Sequence, residues 1–266
     1  MPMGMMRLLA TISAVAIQHF GNVLKLFFHA DFALRPGKRY TIPAKSPPMW
    51  RASSAKRIPR IFWQTGKTAE VTLPVYANYL FNRLMTPTFE HRFHDDEACD
   101  AFVRTNYPGE VSDSFFLLQI GAARADFWRI LVILKEGGIY LDLDAAFSWP
   151  PELFLRKDQT ELFVRDVHGM LTNYCFAAEP GSEVFAKIRD RIVENIRANT
   201  LTSVYDMTGP TVVDDIADAT SVVIEPYKTI CKQAQFTRKK FQYPDYEGHW
   251  AREQEQKPIV RASEEA

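Results

Sequence analysis

The sequence predicts an α/β fold with a largely parallel central sheet, on three observations. Strand-like and helix-like patterns alternate from Ile58 onward. A long helical pattern, apolar at Phe116, Leu117, Ile120, Phe127, Ile130, Leu131 and Leu134, stops at Gly137-Gly138. Directly behind it, "IYLDLD" is apolar until it ends in two aspartates one residue apart. Alternation of this kind lays helices over the faces of a parallel sheet. Ligands of such sheets bind beyond the carboxyl ends of the strands, where Asp142 and Asp144 stand.

The 266 residues suffice for one domain with a full core. Hydrophobic residues at 47% against 24% charged argue for a globular chain rather than a disordered one. Lys+Arg and Asp+Glu balance at 32 each, so no net field recommends a nucleic-acid partner. Cys99, Cys175 and Cys231 are far apart and odd in number, which suggests neither a disulfide framework nor a paired-cysteine zinc site. They fit a reducing, cytoplasmic compartment.

Taken in chain order, residues 8–24 carry no formal charge and include "LLATISAVAI". Gln18, His19, Gly21 and Asn22 interrupt the run short of the ~20 apolar residues that a spanning helix needs. The apolar core ahead of Ala14-Val15-Ala16 is too short for a secretory leader. Residues 35–57 hold four prolines and seven Lys/Arg (Arg35, Lys38, Arg39, Lys45, Arg51, Lys56, Arg57) with no acid. Two readings stand side by side. An apolar helix with a basic arm suits peripheral contact with an anionic membrane; the same segments also suit a helix packed on the domain, followed by a solvated arm. The expected division is 1–57 as a separable extension and linker, 58–250 as the domain, and 251–266 as a polar tail.

"IPRIFWQ" (58–64) reads as the first strand, and "FEHRFH" (89–94) as the second, with a helix after Asp95-Asp96. One helix is expected from about Ser112 to Glu136, stopped by glycines that take the left-handed backbone. Further strands are expected at 161–165, 173–178 and 221–225, with helices near 183–198 and after Gly209-Pro210.

Alternation along a strand would point Asp142 and Asp144 the same way and Leu143 into the core. Two carboxylates aimed at one place repel unless a cation lies between them. Hard ions such as Mg²⁺ or Mn²⁺ take carboxylate oxygens and leave positions for phosphate, so a diphosphate is a natural ligand. Asp126 and Arg129, three apart, share a helix face that feeds into this pair.

"RADFWRILVILKEGGIYLDLD" (124–144) resembles the D-x-D-containing sugar-binding segment of glycosyltransferase family 32. That group includes the yeast-type initiating α-1,6-mannosyltransferases and many bacterial polysaccharide enzymes. The segment is more remotely similar to the glucosyltransferase domains of large clostridial toxins. "IPRIFWQTGK" (58–67), "FHDDEACDAFVRTNYP" (93–108), "TGP" (208–210) and "GHW" (248–250) are similar to other parts of the family pattern. The sequence departs from it where Trp63 and Gly66 stand in place of the first strand's His and Trp, and where His249 replaces the Ser before the final Trp.

The resemblance implies a GT-A fold, a UDP- or GDP-linked sugar donor, Mn²⁺ or Mg²⁺, a glycan or lipid-linked acceptor, and hexosyl transfer, with mannosyl among the candidates, with retention of configuration. It implies that Asp126, Arg129, Asp142 and Asp144 carry the chemistry. Asp144 is then the direct metal ligand and Asp142 holds ribose or sugar and the metal through water, though the two duties are exchangeable. His249 is a third metal contact. Donor binding is shared by Asp126, Arg129 and Asp142 with Trp63, Tyr140, Asn173 and Trp250. Trp63 has two readings, stacking a base or filling the core; Tyr140 packs under the site; Asn173 faces the ligand or caps a turn. Competing functions are a dehalogenase-type D-x-D phosphatase and a non-catalytic sugar-nucleotide binder.

Overall fold

A computed structural model of the chain describes residues 3–52, 54–220, 222–238 and 250–261. The N-terminal part comprises α1 (Met3–Leu34), β1 (Tyr40–Thr41), β2 (Lys45–Ser46), β3 (Ile61–Thr65), β4 (Glu70–Val71) and α2 (Leu73–Met85). The central part follows with β5 (Glu90–His94), α3 (Asp96–Asn106), α4 (Glu110–Leu117), α5 (Gly121–Glu136), β6 (Gly138–Leu141), β7 (Ala145–Phe147) and α6 (Pro151–Phe154). Beyond these come β8 (Glu161–Arg165), β9 (Leu171–Ala178), α7 (Glu183–Ala198), α8 (Val204–Met207) and α9 (Pro210–Ala217). The C-terminal part holds β10 (Ile224–Pro226), α10 (Tyr227–Ile230), β11 (Cys231–Gln233) and α11 (Trp250–Gln256).

The main sheet has strand order β10-β8-β9-β6-β3-β5-β2. Five of its seven strands run one way; β9, between β6 and β8, and the edge strand β2 run against them. This is the expected α/β class with a largely parallel sheet. Side chains alternate across β6: Tyr140 enters the core under α5 and α7, while Ile139 and Leu141 join Phe62, Phe147 and Val164 on the other face. Burial on both faces explains why the strand reads as a continuous apolar run.

Helix α5 is covered on nearly every side, with Phe127, Trp128, Ile130, Leu131, Val132 and Ile133 all buried. Two glycines turn it into β6. Gly137 (φ 66°) and Gly138 (φ 106°) both hold the left-handed region, and a Cβ on Gly138 would come within 2.5 Å of the Ile61 carbonyl oxygen. The chain therefore reverses in the least possible length and delivers Asp142 beside the helix it has just left.

Three expectations are corrected. The single helix over 112–136 is two helices, because Leu118 is extended and bridges Val260, with Gln119 N–H donating to the Ile259 carbonyl at 2.8 Å. The 251–266 segment is not a free polar tail: Ile259 and Val260 sit in the main core. Residues 1–57 are not a detached extension, since β2 forms the sheet edge against β5, β1 pairs with β4, and Ile42 is buried. Helix α1 packs on the domain by its inner face, and no helix among the described residues is long and apolar enough to cross a membrane.

Candidate active site

β6 ends at Leu141, and residues 142–144 form a turn closed by Ala145 N–H donating to the Asp142 carbonyl at 3.0 Å. The two aspartates thus share a turn rather than a strand face, and Leu143 packs sideways toward Val71, Val75 and Phe93. Helix α2 holds this turn from beneath. Asn78 Nδ2 donates to the Leu143 and Ala145 carbonyls at 2.9 and 2.8 Å, and Asn82 Nδ2 to Ala145 at 2.9 Å. Asn82 Oδ1 accepts from Phe147 N–H at 3.1 Å. Both asparagines are fully buried. From the other side Ala234 N–H donates to the Asp144 carbonyl at 2.9 Å, and Gln233 reaches the Asp144 carboxylate.

Arg129, one turn along α5 from Asp126, is the hub. Its Nη2 lies 3.2 Å from Asp126 Oδ1 and 3.2 Å from Asp142 Oδ1, and its Nη1 donates to the Asn173 carbonyl at 2.9 Å. The guanidinium sits 4.7 Å over the Tyr140 ring, and Tyr140 donates its hydroxyl to Asp142 Oδ1 at 2.7 Å. Asp126 accepts from Asn173 Nδ2 at 2.9 Å and from the Thr208 hydroxyl at 3.5 Å. Helix α5, strands β6 and β9 and the α8–α9 turn therefore meet in one buried polar network. Burial pushes the Asp126 carboxyl up to about 7 against the pull of Arg129. Asp144 rises to about 7 through burial and the neighbouring charge of Asp142, and Asp142 is itself raised by burial.

Three carboxylates face one guanidinium, a formal excess of two negative charges. That donor set fits a divalent cation at Asp142 and Asp144. Among the described residues no group of three or more His, Cys, Asp or Glu gathers, so the ion would complete its shell with ligand oxygens.

The structure brings together Asp126, Arg129, Tyr140, Asp142, Asp144 and Asn173. It does not bring Trp63 to them as a stacking surface. Trp63 is 1% exposed, donates its indole N–H to the Gly137 carbonyl at 2.9 Å and packs edge-on against Trp128, so its base-stacking reading gives way to the core reading. Tyr140, 1% exposed, acts through Asp142 and Arg129. His249 lies outside the described residues, as does the Trp250 side chain. Sequence reasoning missed Asn78, Asn82 and Gln233, and read Thr208 only as part of the "TGP" segment, without a contact to Asp126. The one signal was Gly209 in "TGP": a Cβ there would stand 2.8 Å from Tyr205 Cα, so this turn brings α8 and α9 too close for a side chain.

The family model for the glycosyltransferase sugar-binding region containing DXD motif matches residues 69–161, from just before α2 to the start of β8. This match does not favour the dehalogenase-type phosphatase. The initiation-specific alpha-1,6-mannosyltransferase of Schizosaccharomyces pombe is 28% identical over 160 residues, covering 52% of this chain and 40% of that one. Inositol phosphoceramide mannosyltransferase 3 of the same organism is 32% identical over 100 residues, 36% of this chain and 26% of that one. This chain thus spans less than half the length of the curated relatives it matches. Among solved structures, PaToxG glycosyltransferase aligns at TM-score 0.48 and 14% identity over 77% of this chain and 78% of that one.

Proposed function

We propose, from the premise that the chain carries the glycosyltransferase sugar-binding region containing the DXD motif, that it transfers a hexosyl group from a nucleotide-sugar donor to a hydroxyl acceptor. The relatives' names favour mannose as the sugar and a glycan or a phosphoceramide-type lipid as the acceptor. Retention of configuration belongs to the same reading.

The observation that carries it is the single network joining Asp126, Arg129 and Asn173 to the Asp142–Asp144 turn. Asp142 Oδ1 is held by Tyr140 and Arg129, which leaves Oδ2 to meet a ligand. Asp144 stands two residues further along the same turn. Together they would hold Mn²⁺ or Mg²⁺, which when bound neutralises charge growing on the departing nucleoside diphosphate. Asp126 is fixed by donors on β9 and at the α8–α9 turn, so its carboxylate is preset to accept sugar hydroxyls without reorganising. Arg129 keeps Asp126 and Asp142 apart and in register.

Release of nucleoside diphosphate from UDP- and GDP-sugars in the presence of Mn²⁺ tests this. Asp144→Ala should lower turnover by about 10²–10³-fold, the cost of removing one preorganised electrostatic group. Its melting temperature should hold or rise, since one of two repelling carboxylates is gone. Wild-type turnover unaffected by excess chelator would remove the metal assignment. Nucleotide binding without sugar release from any donor would leave a non-catalytic binder.

A further inference from the structure

Helix α1 is apolar on two opposite faces. Ala10, Ala14, Lys25 and Phe28 are buried on the inward face. Its register is fixed by Lys25 Nζ donating to the Ala234 carbonyl at 2.8 Å and by the Arg7–Glu225 ion pair at 3.1 Å. It is also fixed at Gly21, where a Cβ would come within 2.3 Å of the Gln235 carbonyl oxygen. The helix cannot roll without breaking all three. Its outward face carries Leu8, Ile12, Val23, Leu26, Phe27 and Leu34, each more than half exposed. At 100° per residue these fall in one stripe, broken by the exposed His19, with Thr11, Gln18 and Asn22 along its margin. Among the described residues none covers this stripe.

We propose that the outward face of α1 lies in the interfacial layer of an anionic lipid bilayer, so that the domain works at a membrane surface. The helix is too polar in sum to cross one. The segment that follows its C-terminal end, residues 35–57, has seven basic residues and no acid; Arg35, Lys45, Lys56 and Arg57 pair with Asp31, Glu90, Glu152 and Glu179, which leaves Lys38, Arg39 and Arg51 outside the ion pairs of the described residues. Lys38 and Arg51 are exposed within it, beside the exposed Met49 and Trp50. An anionic bilayer offers apolar depth and counter-charge in one surface. Ala234 ties this helix to the site, because it accepts from Lys25 while its own N–H donates to the Asp144 carbonyl. The inference stands apart from the transferase reading.

Flotation of the full chain with vesicles of phosphatidylcholine, with and without phosphatidylglycerol, tests it. The chain should float with the anionic vesicles and recover poorly on the neutral ones. Val23→Asp with Leu26→Asp should reduce recovery by about ten-fold at unchanged melting temperature, since both residues are exposed. Lys38→Ala with Arg51→Ala should also reduce it, and decides the matter should the first variant misfold. No flotation with anionic vesicles would overturn the proposal. So would a dimer in light scattering that the aspartate variant dissociates while vesicles are ignored. Equal recovery on neutral vesicles would overturn the anionic assignment.

Discussion

Asn78 shows how little of a site need be chemically reactive. Its amide donates twice to the backbone of the aspartate turn, so Asn78→Ala leaves the half-buried Leu143 carbonyl without that donor. We expect a cost of about 1–3 kcal/mol. At roughly 2–4 °C per kcal/mol for a domain of this size, the loss is readable by calorimetry. Turnover should fall with it, and an unchanged melting temperature would show that the turn holds without the clamp. Asp126 gives the opposite sign. Its folded carboxyl titrates near 7 and its unfolded one near 3.8, so stability is lost as pH rises between these values. Asp126→Asn should therefore melt several degrees above wild type at pH 8 and close to it at pH 4, with transfer lost at both. A variant that gains nothing at pH 8 would show that Arg129 already compensates the charge. Asp126, Arg129, Asp142 and Asp144 were legible in the sequence because ionisable groups next to an apolar run demand partners. Asn78 and Asn82 were not, because an asparagine on a helix reads the same whether it meets a carbonyl or water.

Elements with a local signal were read close to their bounds. The helix expected near 183–198 is α7, which the structure shows capped by Ser182, and paired glycines mark the end of α5. What failed was set by partners distant in sequence. Between α4 and α5 only Gln119 and Gly121 interrupt the apolar run, a signal too weak to end a helix by itself; Ile259 and Val260 pack where the break falls. The N-terminal boundary failed likewise, since two-residue strands such as β2 carry no periodicity. Ser46 of β2 hydrogen-bonds the Tyr79 hydroxyl, and Ile42 fills a pocket with Val71, Val75 and Tyr79. A chain starting at residue 58 loses these contacts and bares the β5 edge. It should melt at least several degrees below one starting at residue 35, or aggregate. Equal melting of the two would restore the first 57 residues to the status of a separable extension.

The whole molecule is closed by its C-terminal segment. Glu253 accepts from Gly121 N–H at 3.1 Å at the start of α5, and Gln254 accepts from Val204 N–H at 2.9 Å at the start of α8. One short helix thus anchors the two elements that carry Asp126 and Thr208. Val260→Asp should cost several kcal/mol by placing an unpaired charge in the core, with a matching loss in urea midpoint. Turnover should fall before unfolding is complete, and full turnover in a destabilised variant would show that the two anchors are independent of the site. The same closure sets a clock on synthesis. Glu253 is made 132 residues after Gly121. At about 5–20 residues per second the first turn of α5 waits some 7–26 s for its cap on a translating ribosome. Through that interval a helix whose middle is buried from Asp126 to Leu134 in the folded protein lacks its last cover, so the nascent chain is the form of this protein most in need of a chaperone.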